Sequence, residues 1–283
     1  MPATWLDVYA TVAARLPAVE ARWLVEDVSG VDRSRWTEAA PADAPARLAP
    51  LVARRLAGEP LQYVLGRWSF RGLDLLVDPR VLIPRPETEI VAGAAIAEAR
   101  RRASPCTVAD LGTGSGAIAL ALAAEVPGAE VWATDASPAA LEVARANLAA
   151  VPAEAASRVR LAEGMWYEAL PARLRGRLRV IVSNPPYVTE AEFATLPPEV
   201  RDHEPAGALV AGPTGRECLE HLIAGGGRWL EPGGALVLEM APGQAAALAR
   251  AARAAGYEAV AVGADLAGRD RVLVARRPSG AGA

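Results

Sequence analysis

From Cys106 onward, short apolar runs alternate with segments of helical spacing, and that alternation restricts the chain to an α/β layer architecture. The runs are Cys106–Leu111, Glu130–Thr134, Val159–Ala162, Arg179–Ser183, Ala235–Met240, Glu258–Val262 and Arg271–Ala275. Helices are expected between them, for example over Gly116–Glu125 and Pro138–Leu148. Strands that alternate with helices predict a Rossmann-like, doubly wound, mostly parallel sheet, here of seven strands. The last two runs are joined by VGADLAGRDR without a helix, so an antiparallel hairpin is expected at one edge.

The chain before this region has another character. Trp5, Val8, Tyr9, Val12 and Leu16 recur at three- and four-residue spacing and form one apolar helical face. Further helices are predicted over Val19–Val28 and Ala44–Leu56, so residues 1–60 read as a small helical domain. In the segment GEPLQYVLGRWSFRGLDLLVDPRVLIPRPETE, the runs Arg67–Phe70, Leu73–Val77 and Val81–Ile83 are strand-like, and Arg71-Gly72 and Asp78-Pro79 are turn signals. Residues 61–84 therefore read as a β-hairpin linker and 85–283 as the main domain. Pro84 and Pro86 stiffen the approach to a helix expected from Glu87 to about Arg102, with Glu87 and Glu89 in its first turn. The tail Pro278–Ala283 is expected to fray.

Charge narrows the partners. All 30 basic residues are arginine, against 33 acidic ones, and the net charge is −3. Such a chain is a poor fit to stable, non-specific nucleic-acid binding, which needs clustered positive charge. The one cluster, Arg100 to Arg102 ahead of Ser104-Pro105, suits a helix C-terminus. Cys106 and Cys218 lack CxxC pairing and His203 and His221 lack ligand spacing, so no metal site is expected. No signal-peptide core is visible and no run approaches the ~18 apolar residues of a membrane span, so a cytoplasmic protein is expected. A monomer is expected, although no sequence feature fixes the oligomeric state.

Two motifs carry chemistry. In the first, the strand ending at Asp110-Leu111 runs into Gly112-Thr113-Gly114-Ser115-Gly116 and then a helix. Glycines at the end of the first strand of an open α/β sheet let a ligand approach main-chain atoms closely. The second strand ends at Asp135, where a carboxylate suits both hydroxyls of an adenosine ribose. This much fits either a nicotinamide dinucleotide or S-adenosylmethionine, although the glycine order departs from GxGxxG.

In the second motif, the apolar strand Val180–Ser183 runs straight into Asn184-Pro185-Pro186-Tyr187. The prolines fix φ near −65° and remove two backbone donors, and Asn184 before a proline is driven out of the α region. A rigid corner results, offering the Asn184 side-chain oxygen and the Pro185 carbonyl as acceptors beside the Tyr187 ring. A planar –NH2 group can donate its two hydrogens to those acceptors and stack on the ring, which leaves one face of the nitrogen open to an electrophile.

With these two motifs, the chain resembles the amino-methyltransferases of exocyclic or amide nitrogens. These include DNA adenine enzymes, some RNA guanine enzymes and the release-factor glutamine methyltransferases of HemK/PrmC type. The segment from Pro60 to Glu89, the helical N-terminus and the stretch from His203-Glu204-Pro205 to Gly215 are similar to the last group, over nearly the whole chain. The resemblance implies S-adenosylmethionine as cofactor and peptide-chain release factors as protein substrates. Its product is N5-methylglutamine in their Gly-Gly-Gln motif. It carries cofactor binding to Asp110, Gly112 through Gly116, Asp135, Trp166 and Asn184, and amide binding to Asn184, Pro185, Pro186 and Tyr187. Two positions depart from the family pattern: Met165 stands where an acidic residue is common, and Ala241 where glycine is usual before Gln244.

Three alternatives compete with this reading. A nucleic-acid base methyltransferase would need a reading domain or basic groove to reach an extruded base, and the charge-mixed N-terminal segment supplies none. An oxidoreductase would leave the Asn-Pro-Pro-Tyr run unexplained. A non-catalytic adaptor has no need of that run or of Asp135.

Overall fold

Thr4 starts the first helix because its hydroxyl accepts the Asp7 N–H at 3.3 Å while the Asp7 carboxylate accepts the Thr4 N–H at 2.8 Å. This reciprocal capping box fixes the start of Trp5–Ala13. Two further helices, Ala18–Ser29 and Ala44–Leu56, lie where the apolar spacing places them. A fourth, Leu61–Leu65, falls where the sequence suggested the start of a hairpin linker. Leu61 and Val64 are three residues apart, so one helical turn buries both in a cluster with Trp5, Leu24, Trp36 and Leu48. Gly66, at φ 71°, ends that turn in the left-handed region.

The structure, a computed structural model, describes residues 2–102 and 105–280. Ser104 and the last three residues of the tail lie outside the described residues. The chain divides into two units. One runs to Arg67 and takes in Pro197–His203; the other comprises Trp68–Leu196 and the chain from Glu204 on. In the first unit Arg55 binds Glu20 at 2.8 Å and Glu199 at 3.2 Å, so one guanidinium ties the returning segment to the helices.

The strands β1 (Arg67–Phe70) and β2 (Leu73–Leu76) form a two-stranded sheet. Arg71 at φ 47° and Gly72 at φ 77° make a turn with both central residues left-handed, whose twist matches a two-residue hairpin. Arg71 is held there by Glu89, which accepts its N–H at 3.0 Å, and by Glu125, which takes its guanidinium at 2.7 and 2.9 Å. Val81–Ile83, expected as a third strand, is loop; Pro84 and Pro86 follow it, and a proline cannot donate to a ladder.

The large sheet contains β3 (Cys106–Leu111), β4 (Ala129–Asp135), β5 (Val159–Glu163), β6 (Leu178–Ser183), β9 (Leu230–Glu239), β10 (Glu258–Ala264) and β11 (Asp270–Arg276). Between them β7 (Val188–Thr189) and β8 (Val210–Gly212) form a short parallel ladder that the sequence did not reveal. The large sheet has the order β10-β11-β9-β6-β3-β4-β5, with β11 antiparallel to both its neighbours and the remaining pairs parallel. The expected seven-stranded, mostly parallel sheet with an antiparallel edge hairpin is the observed one.

Alternate residues of each central strand enter different cores. Val108, Val180 and Val237 lie in one, and Ala109, Ile181 and Leu236 in the other. The chain passes from β3 to β4 and β5 on one side, then returns to β6 on the other side of β3. The carboxyl ends of β3 and β6 therefore flank the point where the winding reverses, the usual ligand crevice of such sheets. Both sequence motifs sit at those ends.

The arginine cluster is paired off. Arg100 donates to the Glu125 carbonyl, Arg101 meets Glu98 at 3.1 Å and Arg102 meets Glu231 at 3.2 Å. Among the described residues no helix is long and apolar enough to cross a membrane, and no cluster of metal-ligating side chains occurs.

Candidate active site

The glycine turn is pinned from below. Gly112 and Thr113 both donate their N–H to the Thr134 carbonyl at 2.8 Å. Asp110, 1% exposed, accepts the Thr113 hydroxyl at 2.6 Å and the Ala119 N–H at 3.1 Å through Oδ2. Burial pushes its carboxyl up to about 7, against the pull of those two donors. Its Oδ1 is buried with no partner among the described residues. Asn147 adds a brace, donating to the carbonyls of Ser115 at 2.9 Å and Leu76 at 3.0 Å.

The glycines differ in purpose. Gly112 has φ 74°, and a Cβ there would stand 3.4 Å from the Trp166 ring, so this glycine lets the indole lie against the turn. Gly116 has φ 86°, and its Cβ would press on Ala144 and Leu120 at 3.4 Å, so it serves packing of the helix that follows. Trp166 itself sits at φ 49°, an uncommon conformation for a bulky residue and one that concentrates at functional sites. Asp135 accepts the Gly114 N–H through Oδ2 and the Ser137 N–H through Oδ1, both at 2.9 Å. One lone pair on each oxygen is left over.

At the neighbouring strand end, Ser183 donates to the Leu111 carbonyl at 2.5 Å and locks β6 to β3 beside the turn. Asn184 follows. Its Nδ2 donates to Thr88 Oγ1 at 3.2 Å, and Thr88 in turn donates to Glu239 Oε2 at 2.8 Å. The other oxygen of Glu239 accepts the Tyr187 hydroxyl at 3.2 Å. Glu239 is 1% exposed; burial raises its carboxyl to about 7 against the two hydroxyls and the nearby Arg271 cation. Burial also drives the Tyr187 phenol upward, so it remains a donor. Neither Asn184 Oδ1 nor the Pro185 carbonyl accepts a hydrogen bond from the protein among the described residues.

Gln244 holds the corner from behind. Its Nε2 donates to the carbonyls of Tyr187 at 3.1 Å and Gly215 at 2.9 Å, while its Oε1 accepts the Ala241 N–H at 3.0 Å. Ala241 contributes only backbone, that N–H and a carbonyl that accepts the Gln244 N–H at 3.0 Å, and its φ of −71° is open to any residue, so alanine costs nothing there.

The glycine turn and the proline corner open on one cavity of about 590 Å³, within the range of small-molecule sites. Of the residues singled out in the sequence, Gly112, Thr113, Gly114, Ser115, Asp135, Trp166, Asn184 and Pro186 line it. Asp110, Gly116, Pro185 and Tyr187 do not: Asp110 is turned under the loop, Gly116 faces the helix and the Tyr187 hydroxyl faces Glu239. Met165 lines it too and is 50% exposed. Thr88 and Glu239 were missed. A lone acid inside the apolar run Ala235–Met240 was the available signal, because a charge is rarely buried without a task.

Comparison with known proteins fits this geometry. Residues 94–196 match the family model of the methyltransferase small domain, and residues 12–66 that of the PrmC N-terminal domain. The release factor glutamine methyltransferase of Deinococcus radiodurans is 45% identical over 93% of this chain and 92% of its own. The chain belongs to the release factor glutamine methyltransferase family. A second family member, from Gloeobacter violaceus, is 43% identical over 92% of this chain and 90% of its own. The fold extends further, since a Pyrococcus furiosus methyltransferase structure superposes at a TM-score of 0.52, with 19% identity, over 80% of this chain and 97% of that one.

Proposed function

We propose that this chain transfers a methyl group from S-adenosylmethionine to the side-chain amide nitrogen of the glutamine in the Gly-Gly-Gln motif of peptide-chain release factors, in the cytoplasm. The observation that carries the proposal is one cavity walled by the glycine turn and Asp135 on one side and by Asn184 on the other. Family membership favours a protein amide over a nucleic-acid base.

The residues present suit S-adenosylmethionine. Asp135 has a free lone pair on each oxygen for the two ribose hydroxyls. The turn at Gly112 and the Trp166 indole offer a flat apolar surface for the cofactor. When bound, the cofactor supplies an electrophilic methyl group on a sulfonium sulfur.

The protein's work is alignment. An amide nitrogen is a weak nucleophile because its lone pair is shared with the carbonyl. Asn184 Oδ1 accepts one of its hydrogens and fixes its plane, and Pro186 walls the cavity beside it, whereas the Pro185 carbonyl, expected to take the second hydrogen, does not line the cavity. Holding two reactants in line is worth roughly 7–11 kcal/mol at best. As the nitrogen gains positive character its hydrogens become stronger donors, so the Asn184 oxygen binds the transition state more tightly than the ground state. Tyr187 supports the corner through its hydroxyl bond to Glu239.

The division of labour follows. The helical residues 1–60 recognise the folded substrate, because a glutamine side chain offers too little surface for selectivity. Residues 61–84 link them to a catalytic domain over 85–283. The test is to incubate the protein with methyl-labelled S-adenosylmethionine, a purified release factor and, separately, total nucleic acid. Label in the release factor supports the proposal; label in nucleic acid alone refutes it.

A further inference from the structure

Thr88 and Glu239 lie far from the Asn-Pro-Pro-Tyr run in sequence, yet they complete a directional relay behind it. The Glu239 carboxylate accepts from Thr88 Oγ1 at 2.8 Å and from the Tyr187 hydroxyl at 3.2 Å. A hydroxyl has one hydrogen. While Glu239 is ionised that hydrogen is committed to it, Thr88 Oγ1 has only lone pairs left for Asn184, and Asn184 must present its –NH2, found at 3.2 Å. An amide group with no such partner has two nearly equivalent orientations. The flipped one would turn –NH2 toward the target –NH2, donor against donor.

We infer that Thr88 is a positioning residue that selects the productive orientation of the Asn184 amide, with Glu239 setting the direction of the relay. The inference rests on the proposal that Asn184 Oδ1 holds the target amide. Thr88 lines the cavity, but it is only 4% exposed and its hydroxyl is engaged by Asn184 and Glu239, so its effect on the reaction runs through Asn184.

The test is a mutant cycle on the full chain, with turnover measured at saturating cofactor and cofactor affinity measured separately. Thr88→Val keeps the shape but removes the hydroxyl, and kcat should fall about tenfold with cofactor affinity within twofold of wild type. Thr88→Ser keeps the hydroxyl and loses the methyl, and should stay near wild type. Thr88→Cys, a weak donor and acceptor, should fall between them and serves if the valine variant does not fold. A packing role predicts the reverse order, with valine tolerated and serine impaired, and that order overturns the inference. In an Asn184→Ala background Thr88→Val should cost nothing further. A full tenfold loss in that background would mean that Thr88 acts on the substrate directly or on the fold, and the inference fails. Normal turnover of Asn184→Ala alone sinks the underlying proposal instead, so the two failures are distinct.

Discussion

Asp135 is asked to do two things at once, and substitutions can separate them. Its carboxylate has about four acceptor positions, of which the Gly114 and Ser137 N–H groups take two at 2.9 Å. The two that remain are assigned to the ribose hydroxyls. A hydrogen bond to a charged group is worth roughly 1.5–3 kcal/mol, so Asp135→Ala should weaken S-adenosylmethionine binding by about ten- to a hundredfold. The same change strands two backbone donors. Asp135 is only half-buried, so water can reach them, and the loss of fold stability should be about 1 kcal/mol. Asp135→Asn keeps one oxygen but sets an –NH2 against one of the two N–H groups. It should loosen the turn about as much as alanine while still meeting one ribose hydroxyl, so its affinity should lie between those of alanine and wild type. Titration calorimetry gives the affinities and urea denaturation the stabilities. If alanine binds the cofactor as wild type does, the carboxylate is only a brace and the ribose lies elsewhere. Equal affinity losses in asparagine and alanine that merely track stability lead to the same conclusion.

Other expectations follow from the same geometry. Gly215 has φ 71°, and a Cβ there would stand 2.6 Å from the Tyr187 carbonyl, so Gly215→Ala must displace the corner. Its kcat should fall at least about tenfold while cofactor affinity is kept, and stability should drop by about 1–2 kcal/mol; unchanged turnover would show that the corner tolerates movement. Glu239 holds its proton up to about pH 7 in the fold against 4.5 as its ordinary value. Between those values the native state binds more protons than the unfolded chain, so this group's contribution to stability falls as pH rises through the window. Glu239→Gln removes that slope and should gain about 3 kcal/mol on wild type between pH 4 and pH 8, read from urea curves; parallel curves would mean that the carboxyl titrates normally. A chain beginning at Arg67 should bind cofactor and methylate a short Gly-Gly-Gln peptide as before, with kcat/KM for the intact release factor at least about tenfold lower. Equal efficiency on both substrates would free the helical residues of a recognition role.

The sheet and both motifs were legible because periodicity and punctuation are local. Cys106–Leu111 and Arg179–Ser183 are apolar runs ended by glycine or proline, and the strands formed within one residue of those bounds. Leu61–Leu65 was misread because five residues cannot display a helical period; only the buried cluster that receives Leu61 and Val64 decides it. The β7–β8 ladder is two to three residues long and joins Val188 to Val210, a pairing that no local pattern encodes. In the site, residues whose role depends on backbone form were found, among them Gly112, Asn184 and Pro186. The relay was not, since Thr88 and Glu239 reach Asn184 from sequence distances of 96 and 55 only after β6 and β9 have paired. Asp110 and Tyr187 sit beside the motifs without lining the cavity, because a side chain's direction is set by what accepts or donates to it.

The central claim is that the Asn184 amide oxygen accepts from the target nitrogen and does so more strongly as the methyl group is transferred. The measurement that addresses it most directly is single-turnover methylation of an intact release factor by wild type and Asn184→Ala at saturating S-adenosylmethionine, with the modified atom located by fragment mass spectrometry. The account predicts one methyl group on the side-chain nitrogen of the Gly-Gly-Gln glutamine, and a rate about a hundredfold or more lower in the alanine variant with a smaller change in substrate affinity. A near-normal rate in Asn184→Ala, or a methyl group on any other atom, would contradict it.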